Sequence, residues 1–178
     1  MDRRTRKTQS AIYSAFVSLI VERGYEAISV QQIIDEADVG RTTFYAHFRS
    51  KDDLLMFGFQ RLRDELQRQL DDVRRNEPWS FLDPLLQHAR AHLGLYRSLL
   101  RGNGGPVAER AFQAIVDELV AGELKDQSKG SSEIAIIAGG LMGGIKNWIN
   151  KPTSAGLEDL ASTFRQLATP FDGSQKGA

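Results

Sequence analysis

The sequence predicts an all-α fold of about nine helices, and three observations carry that reading. Apolar residues recur at spacings of three and four along most of the 178-residue chain, the signature of amphipathic helices. Strand-type alternation is almost absent. Gly, Pro and small polar residues mark breaks between the periodic stretches, at Gly24, Val39-Gly40, Asn76 to Pro78, 102–106 and Lys151-Pro152, as helix stops do.

The first element is carried by Ile12, Phe16, Leu19 and Ile20. Basic Arg3 to Lys7 ahead of the apolar stretch Ala11 to Val21 imitates a secretory leader, but Ser14 and Ser18 interrupt the run and the apolar residues keep one helical face. An amphipathic helix is therefore expected, ended by Gly24. Ser29 and Gln32 form an S-x-x-Q capping box at the start of a second, short helix. Its inner face is Val30, Ile33, Ile34 and Ala37, and it ends near Ala37 or Asp38.

Val39 and Gly40 make a tight break before a third helix, Arg41 to Phe48, with Phe44 and Phe48 inward at i, i+4. Arg41, Thr42, Thr43, Tyr45 and His47 face solvent. Ser50 then caps a long helix, with Asp52 and Asp53 in its first turn near the positive end of the helix dipole. Leu55, Phe59, Leu62, Leu66, Leu70 and Val73 take it to about Arg75. Further helices are expected over about Phe81 to Leu100, Val107 to Leu124, Glu133 to Asn150 and along Leu157, Leu160, Phe164 and Leu167, with a frayed tail from Pro170.

Composition excludes whole classes of function. There is no cysteine, which removes disulfide scaffolds, thiolate zinc sites and cysteine nucleophiles. His88 and His92 stand at i, i+4, but no third ligand accompanies them and no Glu-x-x-His occurs, so no metal and no cofactor is expected. The absence of G-x-G-x-x-G, G-x-S-x-G and H-E-x-x-H motifs argues against an enzyme. No stretch approaches the run of apolar residues a membrane span requires, so a cytoplasmic protein without a membrane partner is expected.

The 23 Lys and Arg residues balance the 23 Asp and Glu residues. That balance conceals an asymmetry: up to Lys51 there are eight basic side chains against six acidic, and the remainder has 15 against 17. Four of the basic residues fall within the first seven positions, placed to act as an arm.

Two short helices joined by a tight turn, between a longer first helix and a long fourth, make a helix-turn-helix arrangement. The second short helix can enter a major groove, while neighbouring helix ends meet phosphates. Ser29 and Gln31 stand at one such end. Ser50 and Lys51 stand at another, where a hydroxyl, an ammonium and backbone amides suit a phosphate.

The stretch from Ile12 to Leu55, above all VGRTTFYAHFRSKDDLL from Val39 to Leu55, resembles the DNA-binding half of TetR/AcrR-type transcriptional regulators. The resemblance implies that Arg41, Thr42 and Thr43 reach bases or nearby phosphates. It implies that Tyr45, His47 and Lys51 mainly contact the backbone, and that Phe44 and Phe48 anchor the recognition helix. Asp38, where many members have Gly, and Gly40, where a hydroxyl residue often caps the helix, depart from the pattern. So does Ala46, which offers only a thymine methyl contact.

The resemblance further implies a DNA-binding domain over residues 1–50 and a regulatory, dimerising helical bundle over 51–178, with 51–75 as connecting helix. Expected partners are operator DNA, a second copy and a small-molecule effector, with repression as the leading outcome. An activator or co-regulator of the same fold, or a small-molecule-binding helical protein, is the alternative.

The stretch IAGGLMGGIKNWINK from Ile137 to Lys151 is similar to the penultimate helix of one subgroup. Four glycines inside it would each cost about 1 kcal/mol relative to Ala, so close approach between helices is expected there. Ile134, Ala138, Leu141, Ile145 and Trp148 form a seam at spacings of four and three. Ile134, Leu141, Ile145, Leu160, Phe164 and Leu167 are accordingly the expected dimer interface. His88, His92, Tyr96, Phe112 and Trp148 are candidates for an effector pocket, although aromatic residues at helical spacing also read as plain core.

Overall fold

In the computed structural model, residues 3–72, 78–101, 105–125, 130–152 and 156–169 are described. Among them are nine helices and no strand: α1 (Arg3–Arg23), α2 (Val30–Glu36), α3 (Arg41–His47), α4 (Lys51–Asp72), α5 (Leu82–Ala91), α6 (Leu93–Arg101), α7 (Gly105–Leu124), α8 (Ser131–Asn150) and α9 (Gly156–Ala168). The all-α expectation holds. The expected end of α4 near Arg75 and the tail from Pro170 lie outside the described residues.

These residues form two compact units. The first takes the described parts of 1–62 and 94–109, and the second those of 63–93 and 110–178.

In the first unit α1 buries Ile12, Ala15, Phe16, Leu19 and Ile20. Arg3, Arg4, Arg6 and Lys7 belong to the opening turns of this helix, with exposed side chains. They do not form a free arm, because the helical repeat continues back to Arg3. Gly24 ends the helix at φ 80, a left-handed conformation that costs glycine nothing. α2 packs on α1 and α3 packs on α2, enclosing Ile33, Ile34, Phe44 and Phe48.

α6 also belongs to this unit from Gly94 onward, and Tyr96 and Leu99 are buried there. A Cβ at Gly58 of α4 would run into the Tyr13 ring and hydroxyl, so glycine is required for α1 to lie this close. Burial pushes the Tyr13 and Tyr96 hydroxyls above the usual phenol range, which keeps both neutral.

The second unit is held by contacts among α5, α8 and α9. Leu82, Leu85, Leu86 and Ala89 of α5 are buried, with Ala138, Leu141, Ile145 and Trp148 of α8 and Leu157, Ala161 and Phe164 of α9. Arg90 pairs with Glu158 at 2.8 Å and Arg165 with Asp83 at 3.0 Å. Both pairs are exposed, so they fix register more than they stabilise. Trp79, at φ 61, is buried with its ring edge-on to Phe81 and Phe164, and its backbone N–H donates to Glu123 at 2.9 Å.

Two expectations are corrected. The single helix expected over Phe81 to Leu100 is two, because the chain turns at His92 (φ −112, ψ 25) where it leaves the second unit for the first. Nor do the α8 glycines all mark close approach within the chain. A Cβ at Gly144 would strike Leu160 of α9, whereas Gly139, Gly140 and Gly143 meet nothing within 4 Å.

Candidate nucleic-acid interface

The helix-turn-helix begins at Ser29, whose extended backbone (φ −104, ψ 160) turns its side chain onto α2. Its hydroxyl accepts the Gln32 N–H at 3.3 Å, and the Ser29 N–H donates to Gln32 Oε1 at 2.7 Å. This reciprocal pair satisfies two of the backbone N–H donors that a helix start leaves without an acceptor. Gln31 projects on the exposed side and donates to Asp35 at 2.8 Å.

The turn from α2 to α3 passes through Asp38 at φ 50. This left-handed position explains why glycine suits that site, and aspartate is among the few side chains that tolerate it. Gly40 then enters α3 in an extended conformation with no side-chain cap.

Along α3 the two faces separate cleanly. Phe44 is fully buried and Phe48 nearly so, their ring centroids 6.0 Å apart. Arg41, Thr42, Thr43, Tyr45 and Ala46 are exposed, and His47 is half-buried against Phe48. The Arg41 guanidinium lies 5.9 Å from the Tyr45 ring centroid, close enough for a cation–π contact that orients both side chains. The exposed face of α3 thus offers a guanidinium, two hydroxyls and a phenol, a donor-rich surface with no carboxylate from α3 on it.

α4 opens at Ser50, which accepts the Asp53 N–H at 3.1 Å, while Asp53 accepts the Arg49 N–H at 3.0 Å. Lys51 does not reach outward beside them. Its ammonium donates to the carbonyls of Tyr25 at 2.9 Å and Ile28 at 3.2 Å, and sits 4.4 Å from the Tyr25 ring centroid. The Tyr25 hydroxyl donates to the Asp52 carboxylate. Burial first, then that bond and the charges of Asp52 and Glu26, raise the Tyr25 hydroxyl well above the usual phenol range. No local sequence pattern pairs Tyr25 with Lys51 and Asp52, 26 and 27 positions on.

The expected effector residues are divided between the two units. His88, His92, Phe112 and Trp148 fall in the second unit and Tyr96 in the first. Phe112, Trp148 and Tyr96 are core residues. The His88 and His92 ring centroids lie 4.4 Å apart with the rings tilted by 42°, and burial, together with the His92 charge, lowers His88 to about 4.

Among the expected interface residues, Leu141 and Ile145 are fully buried in their own chain, so neither is free to face a second copy. Their spacing marks the inner side of α8. The outward apolar side is different: a cavity of about 410 Å³ between α8 and α9 is lined by Ile136, Gly140, Gly144, Leu160, Thr163 and Leu167 among others. Ile136 and Leu167 there are 72% and 71% exposed. Phe164 lines the same cavity but is mostly buried, and Ile134 is half-buried.

Comparison with known proteins places this geometry. Residues 8–56 match the family model described as bacterial regulatory proteins, tetR family. A TetR transcriptional regulator from Streptococcus agalactiae 2603V superposes with a TM-score of 0.73 at 28% identity, over 93% of this chain and 96% of that one. Two Bacillus subtilis (strain 168) proteins, the uncharacterized HTH-type transcriptional regulators YxbF and YwcC, are 34% identical over 62 residues and 31% identical over 93. These two matches take in 34% and 50% of this chain but span only 16% and 42% of the relatives' lengths. All three relatives are described as transcriptional regulators, in agreement with the expectation that the chain is not an enzyme.

Proposed function

We propose, because the chain belongs to the TetR family of bacterial regulatory proteins, that it is a homodimeric DNA-binding repressor whose operator affinity is changed by a small molecule. The observation that carries this reading is α3 itself, whose Phe44 and Phe48 are buried while Arg41, Thr42, Thr43 and Tyr45 are presented together. A helix so anchored can be pressed into a major groove without losing its shape. Arg41, Thr42 and Thr43 then read base edges or adjacent phosphates, and Tyr45 and His47 meet the backbone. Ser29 and Gln31 lie at the start of α2, which crosses the phosphates in this arrangement.

Residues 1–50 serve as the DNA-binding domain, and 51–178 as the regulatory and dimerising part. The second copy docks on the outward side of α8 and α9, where Ile136 and Leu167 are exposed and Gly139, Gly140 and Gly143 leave the backbone open to close approach. Two recognition helices held at a fixed separation must fit two half-sites on one duplex, so an effector that favours a different separation releases the DNA. It does so only through unequal affinity for the two forms. The protein works in the cytoplasm, and among the described residues no helix is long and apolar enough to cross a membrane.

The test is a binding titration against duplex from the region upstream of its own gene and against random duplex, at several salt concentrations. The reading requires preference for the former, affinity that falls steeply with salt, and a loss of about tenfold or more in Arg41→Ala and Thr43→Ala. Equal, salt-insensitive binding to both duplexes refutes it and favours a small-molecule-binding helical protein. A reporter whose expression rises with the protein present would make it an activator.

A further inference from the structure

We propose that Lys51, with Tyr25 and Asp52, is a latch that positions the helix-turn-helix for DNA, and that its ammonium acts inward on the chain and not on a phosphate. This rests on the DNA-binding reading above and reassigns one of its residues. Lys51 and Asp52 are consecutive residues of the first turn of α4, and together they hold Tyr25 at three places. The Lys51 ammonium takes the Tyr25 carbonyl at 2.9 Å and lies against the face of its ring. The Asp52 carboxylate takes its hydroxyl. The same ammonium takes the Ile28 carbonyl at 3.2 Å, one residue ahead of the Ser29 cap.

The placement matters more than the individual bonds. Tyr25 and Ile28 belong to the corner between α1 and α2, whose carbonyls no helix satisfies, and an ammonium is a donor strong enough to hold two of them. Residues 25 and 51 also bracket α2 and α3 in sequence. Tying them closes the helix-turn-helix into a loop and removes the freedom with which α2, and α3 packed on it, could shift. Tyr25 is itself 4% exposed and edge-on to Phe16 of α1 at 6.2 Å, so the latch is seated on the core of the unit. Two of the three ammonium hydrogens are engaged inward.

A phosphate contact and a positioning latch differ in their response to salt. Removing a cation that neutralises a phosphate lowers the slope of log affinity against log salt by about one per subunit. Removing a positioning residue lowers affinity at every salt and leaves the slope alone. The experiment therefore titrates the full chain, Lys51→Met and Tyr25→Phe against the upstream duplex over a range of salt. It also follows amide hydrogen exchange in α2 and α3 without DNA.

The latch predicts that Lys51→Met binds about tenfold more weakly and Tyr25→Phe about threefold, both with the wild-type slope and with faster exchange in α2 and α3. Tyr25→Phe removes no charge and keeps the ring, so it reports on the latch even where Lys51→Met does not fold. A slope reduced by about one per subunit in Lys51→Met, with exchange unchanged, assigns the ammonium to a phosphate and overturns the proposal. So does a Tyr25→Phe protein that matches the wild type in both affinity and exchange. If the wild type shows no salt-dependent binding to duplex, it is the DNA-binding reading that fails, and the exchange measurement still decides whether the latch holds the corner.

Discussion

Phe44 and Phe48 at the recognition helix are covered by their own unit, with 0% and 3% exposure, whereas Ile136 and Leu167 on α8 and α9 stand 72% and 71% exposed. The first region closes its apolar surface within one chain. The second leaves two large apolar side chains open beside three glycines where an added Cβ would meet nothing within 4 Å. Burial of a large apolar side chain is worth about 1.5–3 kcal/mol, and a helical glycine costs about 1 kcal/mol against Ala. A chain that keeps both liabilities on one face is suited to covering that face with something else. On the proposed function, the helix-turn-helix serves as a rigid reader and the α8–α9 face as an interface.

The largest expected effect tests the self-contained side of this contrast. Phe44→Ala should destabilise the protein by about 3–5 kcal/mol, read as a lowered urea midpoint, and should abolish duplex binding. A loss below about 1 kcal/mol would mean that α3 is not anchored as described.

Next comes the open side. Ile136→Asp with Leu167→Asp should convert a dimer into a monomer in sedimentation, weakening association at least about a hundredfold, while helical content stays unchanged. A double variant that remains dimeric would place the interface elsewhere.

A third prediction concerns the interior of the second unit. The folded value of His88 lies near 4, below the ordinary 6.5, because burial disfavours the charged ring. Above pH 6.5 the ring is neutral in both states and exacts no penalty. As pH falls from there toward 4, the unfolded chain takes the proton first, so stability falls. The loss should be about 2 kcal/mol by about pH 5. His88→Gln should flatten that part of the urea-midpoint curve, and Glu65, which opposes the shift, limits its size.

The smallest effect sharpens the first region again. Asp38→Gly relieves the left-handed backbone at φ 50 and should stabilise by less than about 1 kcal/mol, measured by thermal denaturation. It should also strengthen duplex binding slightly by removing a negative charge beside α3.

Legibility from sequence divides along the same line. The boundaries of α2 and α3, the Ser29–Gln32 box, the Gly24 stop and the inward pair Phe44 and Phe48 could all be read because each is a local matter of cap, turn and spacing. The inward turn of Lys51 could not, since it depends on carbonyls 26 and 23 residues away in sequence. In α8, spacing identified a buried side but could not say what buries it. Leu141 and Ile145 proved to belong to the chain's own core, and the exposed Ile136 is on a separate side. The division at His92 also escaped, because no proline interrupts the pattern and the break follows from where the chain passes between units. The aromatic residues proposed for a pocket illustrate the same limit, since Tyr96, Phe112 and Trp148 are buried and spacing alone does not distinguish core from lining.

The first unit is discontinuous along the chain, and this gives its assembly an order in time. Tyr96, Leu99 and Ala108 are buried members of that unit, yet they are synthesised well after Leu62, where its first segment ends. At about 5–20 residues per second, a ribosome takes on the order of 2–10 seconds to supply them. Throughout that interval α1 to α3 can form their turns, but their unit lacks part of its interior. The reading head of this protein is completed only when a later stretch of the same polypeptide returns to it.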